Sequence, residues 1–211
     1  MSIISIQNPK GGSGKTTLAT NLAAYYANVG RSVLLIDADQ QASAREWHAA
    51  RDSDDIAVMG LDTKSTLKQA GTHAQHFDVT IIDGSAKLEE LLAPAISVAD
   101  LVLIPVTPSP YDIWAVGDLV DIIRMRQEVS NGQPKAAFII SRAIKNTVLG
   151  REVIDAVDEY GLTLLDSGTT QRQPYVATAA EGKAVSDGGY ADLAAEIKTI
   201  ADEIDVLMGS K

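Results

Sequence analysis

The chain has 211 residues, 45% of them apolar and 22% charged, which suits one soluble globular domain able to bury its own core. It has no cysteine, which excludes disulfides, iron–sulfur clusters and thiol catalysis, and no apolar run approaches the roughly 20 residues of a membrane-spanning helix. A formal charge of −10 argues against general attraction to nucleic acid or anionic lipid.

Residues 3–6 are a β-branched run, without the basic, apolar and small-residue succession of a secretory leader, so a cytoplasmic location is expected. QNPKGGSGKTTL follows at 7–18. A helical stretch over 16–29 stops at Gly30, and strand, glycine loop and helix come in the order a phosphate site requires. In such a loop the backbone of Gly11, Gly12, Ser13 and Gly14 approaches the anion. Lys15 reaches the β- and γ-phosphates, the Thr16 hydroxyl ligates Mg²⁺, and Thr17 completes the cradle. Two features depart from the common Walker A pattern. Pro9 stands where that pattern has its first glycine, and a second lysine, Lys10, precedes the loop.

A strand at 33–36 runs into Asp37 and Asp39, followed by a helix at 42–50, a weaker strand at 57–59 and a helix at 65–75. The strand at 79–82 runs into Asp83. One acid after one strand is cheap and serves equally as a helix cap; acids after two strands, behind a phosphate loop, point to a metal-assisted site. The alternation continues with a helix at 87–96, a strand at 101–106, a helix at 112–130 and a strand at 136–140. A helix at 148–160, a weaker strand at 162–165 and a helix at 191–207 complete it. Near-continuous apolar strands alternating with helices predict an α/β fold, a doubly wound, mostly parallel sheet with helices on both faces. One domain over residues 1–211 is expected, with no separate recognition domain before the loop. Trp47, Tyr111, Trp114 and Tyr175 read as packing or interface residues. His48, His73 and His76 show no metal spacing and are expected to face solvent.

KGGSGKTT with Lys10 in front resembles the deviant Walker A box of the ParA/MinD ATPases. DADQQ at 37–41 is similar to that family's Asp-x-Asp-Pro-Gln box, IID at 81–83 to its Walker B, and IPVTPSPYDIWAV at 104–116 to the post-strand segment of short ParA proteins that partition plasmids. The resemblance implies an ATP hydrolase of weak basal activity, with ATP and Mg²⁺ as cofactors. It implies that Lys10 reaches the phosphates bound by a second copy in an ATP-dependent homodimer, and that Asp39 orients the attacking water. Asp37 and Asp83 would lie near the Mg²⁺ and its waters, and Arg142 near the base or ribose. Gln40 departs from the family's proline. Gly84-Ser85 departs from its proline pair, which implies a more flexible switch segment.

The implied function is segregation or positioning of plasmid or chromosomal DNA, with a ParB-like centromere-binding or adaptor protein stimulating hydrolysis. Non-specific DNA would hold the ATP-bound dimer on the nucleoid. The candidate DNA face is a basic stretch, Arg124, Arg126, Lys135, Arg142, Lys145 and Arg151, against one acid, Glu128, with Lys198 of the tail as an addition. The alternative is a positioning ATPase for another cargo, a protein body or array. A MinD-like membrane cycler would need a basic amphipathic tail, whereas EIKTIADEIDVLMGSK is acidic, so no membrane partner is expected. A nitrogenase-reductase-like carrier is excluded by the absence of cysteine. An ATP-dependent small-molecule ligase would need a substrate pocket that no motif here marks.

Overall fold

The structure, a computed structural model, describes residues 1–86, 89–144 and 149–209, with backbone only at Glu89 and over 149–152. Its spine is a seven-stranded sheet in the order β3-β2-β4-β1-β5-β6-β7, every pairing parallel. The strands are β1 (Ser2–Ile6), β2 (Val33–Asp37), β3 (Ala57–Gly60), β4 (Val79–Asp83), β5 (Leu101–Val106), β6 (Lys135–Ile140) and β7 (Thr163–Leu164). The helices are α1 (Lys15–Asn28), α2 (Ser43–Ala49), α3 (Lys64–Leu67), α4 (Ala70–Ala74), α5 (Glu89–Val98), α6 (Pro110–Trp114), α7 (Gly117–Val129), α8 (Leu149–Asp158), α9 (Pro174–Ala180) and α10 (Ala191–Met208).

Successive residues of a strand face opposite sides, which divides the interior. Ile4, Ile6, Leu35, Ile81, Leu103 and Ile139 face a core shared with α1 and α10. On the reverse side Val102, Ile104 and Phe138 meet α5 and α7, while Ile3, Leu34 and Ile36 meet α3 and α4. The central strands are therefore buried on both faces, as their unbroken apolar runs predict. Among the described residues no helix is long and apolar enough to cross a membrane.

Three departures from the predicted elements have local causes. The helix expected over 65–75 is two short ones, because Gln69 and Thr72 N–H groups bond three residues back and tighten the chain between them. The helix expected over 112–130 begins earlier, at Pro110, and breaks before Gly117, where Val116 N–H bonds Ile113 O at 3.3 Å. The helix α9 was not predicted; its signal is Pro174 at the first turn and Gly182 just past the end. The starts of the helices expected at 87 and 148 lie outside the described residues.

Candidate functional site

The register aligns the ends of the three strands that carry the chemistry. Ile6 of β1 pairs with Asp83 of β4, and Asp37 of β2 pairs with the same Asp83. Ligands of open parallel sheets bind beyond these carboxyl ends. Between β1 and α1 the loop closes tightly. Gly14 has φ +91°, a conformation that favours glycine, and a Cβ there would also displace Ser141 Oγ, 2.3 Å away. Gly12 also has positive φ, whereas Gly11 has neither a positive φ nor a close neighbour.

Asn8, which the sequence reading passed over, splints this loop. Its side chain donates to Pro105 O at 2.7 Å and accepts from Lys10 N–H at 2.7 Å, tying the loop to β5. Lys15 is buried at the start of α1, and its ammonium donates to Lys10 O at 3.0 Å. Burial holds its pKa below the ordinary lysine value, opposed by the nearby charges of Asp83 and Asp39. Thr16 Oγ1 donates to Asp83 Oδ2 at 2.7 Å, while Asp83 Oδ1 is buried with no hydrogen-bond partner. Burial pushes the Asp83 carboxyl up to about 7, against the Thr16 hydrogen bond and the Lys15 charge that pull it down.

The two acids after β2 differ. Asp37 is fully buried, with Oδ1 taken by Asp39 N–H and Oδ2 by Arg45 N–H and Nε. Asp39 lies at the cleft, with Oδ1 accepting from Gln41 N–H at 2.9 Å. Of the two acids expected to face a metal, therefore, only Asp83 has an oxygen without a hydrogen-bond partner; Asp37 organises the turn through Arg45, another residue the motif reading did not single out. Arg142 follows β6 with φ +59°, uncommon for a non-glycine residue, and its Nη1 donates to Gly12 O at 3.1 Å. It thus closes over the loop from outside.

Gly84 has a packing reason. A Cβ there would lie 2.2 Å from Gln7 Oε1 and 2.5 Å from Ile6 O. A buried Gln7 fills the space that a larger residue would need, so steric crowding is one reason for glycine at this position. Gln40 is exposed in the turn.

Lys10 is directed elsewhere. Its ammonium pairs with the buried carboxylate of Asp112 in α6, which also accepts from Thr107 Oγ1. Around that pair Tyr111 and Trp114 are 71% and 69% exposed, edge to face at 5.5 Å. The cleft itself encloses about 620 Å³. Residues 11–17, Asp39, Gly84, Ala86 and Arg142 line one side, and residues 169–173 with Tyr175 and Val176 the other. That volume suits a nucleotide-sized ligand. The second wall carries no motif and was not anticipated.

Two surface expectations are corrected. His48 and His73 are half-buried, and His48 Nε2 is enclosed without a partner; only His76 is exposed. The basic stretch does not form one face. Lys135 begins β6 and Arg142 lies beyond its far end, next to the cleft; Lys135 donates to Leu207 O and Arg126 to Ser97 O, at the end of the sheet away from the cleft. Lys145 and the Arg151 side chain lie outside the described residues.

A glycine loop between a parallel strand and a helix, with carboxylates at two neighbouring strand ends, defines the P-loop class of nucleotide-binding proteins. The chain belongs to the CobQ/CobB/MinD/ParA nucleotide-binding domain family, whose pattern its residues 4–184 match. It is similar to maintenance of carboxysome distribution protein A of Halothiobacillus neapolitanus, 27% identical over 209 residues, 97% of this chain and 94% of that protein. It is also similar to the sporulation initiation inhibitor protein Soj of Bacillus subtilis, 28% identical over 200 residues, 75% of this chain and 79% of that protein. Among solved structures, apo McdA of Cyanothece superposes with a TM-score of 0.83 at 18% identity, covering 97% of this chain and 99% of that one. MinD of Aquifex aeolicus gives 0.77 at 21% identity, covering 100% and 98%. At such identities these two likenesses speak for the fold alone.

Proposed function

We propose that this chain is a ParA-type positioning ATPase, one domain over residues 1–211, that dimerises on ATP, binds non-specific DNA in that state and is released by hydrolysis. The observation that carries this is the division of labour between the two lysines. Lys15 lines the cradle, whereas Lys10 lies off the cleft wall, partly exposed and paired with Asp112. A cation so placed has a use when a second copy brings its own phosphates to the mouth.

In this reading Gly11 to Thr17 hold the phosphates, with Lys15 turning from Lys10 O to the β- and γ-oxygens. The Thr16 hydroxyl and the unpartnered Asp83 oxygen suit Mg²⁺, which keeps few protein ligands and takes phosphates and waters for the rest. A metal held by these residues would supply charge stabilisation as the γ-phosphate departs. Asp39 holds the attacking water in line, and Lys10 of the partner copy steadies the same developing charge. Arg142 braces the loop at Gly12.

For the cargo, the nearly full-length similarity to a carboxysome-distribution protein supports a protein body ahead of the plasmid expected from the 104–116 segment. The similarity to a protein named ParA from Rhizobium radiobacter, 27% identical over 185 residues, keeps DNA partition as the second reading. Either cargo needs a ParB-like or adaptor partner to stimulate hydrolysis. The test is calorimetry with Mg-ATP, sedimentation, and retention on DNA. Wild type should bind, dimerise and be retained only with ATP; Lys15→Ala should lose all three, and Mg-ATP binding undiminished in that variant would refute the reading.

A further inference from the structure

The cleft wall over residues 169–176 is an extended segment that runs into the first turn of α9 at Pro174, and it must stand at a fixed distance from the phosphate cradle. One edge is explained by the sheet. Ala143 N–H donates to Thr169 O at 2.8 Å and Gln171 N–H to Ala143 O at 2.9 Å, a short parallel ladder beyond β6. In that ladder the Thr170 N–H points away from residue 143, to the side where a further strand would offer a carbonyl. Here the acceptor is the carboxylate of Glu196, on α10. Glu196 Oε2 accepts from Thr170 N–H at 3.1 Å, and Oε1 from Thr170 Oγ1 at 2.8 Å. Glu196 Oε2 also accepts from Tyr175 Oη at 3.1 Å.

One carboxylate thus gathers three donors from both ends of the wall, and Glu196 itself does not line the cleft. Tyr175 is buried, and the burial together with the Glu196 charge holds its hydroxyl protonated, a donor at any ordinary pH. The neighbouring ion pair, Arg172 to Asp192 at 3.2 Å, is largely exposed and adds little.

α10 is in turn fixed to α1, the helix that begins at the phosphate loop. Leu193, Ile197, Ile200 and Ile204 are buried in the core that holds Leu18, Leu22 and Tyr26 of α1. Tyr26 Oη donates to Asp205 at 3.3 Å, and Arg31 pairs with Asp205 at 2.7 Å. The cradle and the opposite wall are both referenced to α10, and Glu196 is the link on the wall's side.

We propose that Glu196 is a positioning residue for the nucleoside half of the ligand: it sets the wall of residues 170–175 against the base and ribose while leaving the phosphate cradle untouched. This rests on the nucleotide reading above. Losing a carboxylate that accepts three hydrogen bonds should loosen the wall and weaken only what the wall touches.

The experiment compares Mg-ATP with Mg-tripolyphosphate, which offers the cradle its phosphates but the wall nothing, by calorimetry on wild type, Glu196→Ala, Glu196→Gln and Tyr175→Phe. Glu196→Ala should lose roughly tenfold or more in ATP affinity, the scale of charge-assisted hydrogen bonds, with tripolyphosphate binding within about twofold of wild type. Glu196→Gln keeps an acceptor for Thr170 and should fall between. Tyr175→Phe should cost less and again only with ATP. Unchanged ATP affinity in the folded Glu196 variants would overturn the proposal, as would equal losses for both ligands, which mark a merely structural role. If Glu196→Ala does not fold, the Gln and Phe variants decide by the same split. Wild type binding neither ligand would overturn the nucleotide reading and this proposal with it.

Discussion

Asp83 is a carboxylate held out of water with a hydrogen-bond donor on one oxygen and none on the other. An arrangement of that kind costs stability in the absence of a ligand, and the sign of the cost is fixed. The carboxyl is pushed up to about 7 in the folded chain, whereas an unfolded aspartate ionises near ~4. Between those values the native state holds the extra proton, so Asp83's contribution is fully present below about pH 4 and is lost as pH rises through 7. Asp83→Asn keeps an acceptor for Thr16 and removes the titration. The nucleotide-free variant should therefore be more stable than wild type at pH 8, by no more than ~4 kcal/mol, with the gain fading towards pH 4. In the proposed role it should also lose the Mg²⁺ dependence of ATP affinity. Urea unfolding at the two pH values, with Mg²⁺ titrations, tests both; equal stability at pH 8 would mean that burial costs Asp83 nothing.

Among the elements, α6 is short yet has the largest consequence for Lys10. Its five residues place Asp112 within reach of Lys10, and the pair joins the phosphate loop to the segment after β5. In the proposed cycle Lys10 must leave Asp112 to meet the partner's phosphates, so the pair opposes dimerisation. Asp112→Asn should tighten ATP-dependent dimerisation by about three- to tenfold, the range of a hydrogen-bonded pair with one partly exposed member. Sedimentation equilibrium measures it, and weaker dimerisation would show instead that Asp112 holds Lys10 ready. The sequence made the site's near side legible and its far side not. The loop, Asp37, Asp39 and Asp83 follow from glycine and acid types at strand ends, a local pattern. The wall at 169–176, Asn8, Arg45 and Glu196 act through contacts 8 to 97 residues apart, which no local spacing encodes. Likewise the sheet core was readable from unbroken apolar runs, while the breaks at 68–69 and 115–116 depend on backbone bonds that propensity does not predict.

At the scale of the whole molecule, the cleft and Lys10 lie at the same end of the sheet, and the dispersed cations Arg126 and Lys135 lie at the other. A two-fold dimer closing over the cleft would bring each Lys10 to the other copy's phosphates, because a two-fold contact is self-complementary. If Lys10 serves its own phosphates, Lys10→Ala should weaken ATP binding by the monomer. If it acts across the interface, monomer affinity should hold while dimerisation and turnover fail. Asp39→Ala should bind ATP and dimerise but turn over very slowly, since only the positioning of water is lost. Mixing the two inactive variants separates the assignments. In a mixed dimer the Lys10→Ala subunit keeps its own Asp39 and receives Lys10 from its partner, so one of its two sites is complete. An equimolar mixture should recover up to ~25% of wild-type turnover, since about half the dimers are mixed and each has one working site. Recovery to that level requires the lysine to work across the interface; mixed dimers that form and remain inactive would return Lys10 to its own subunit.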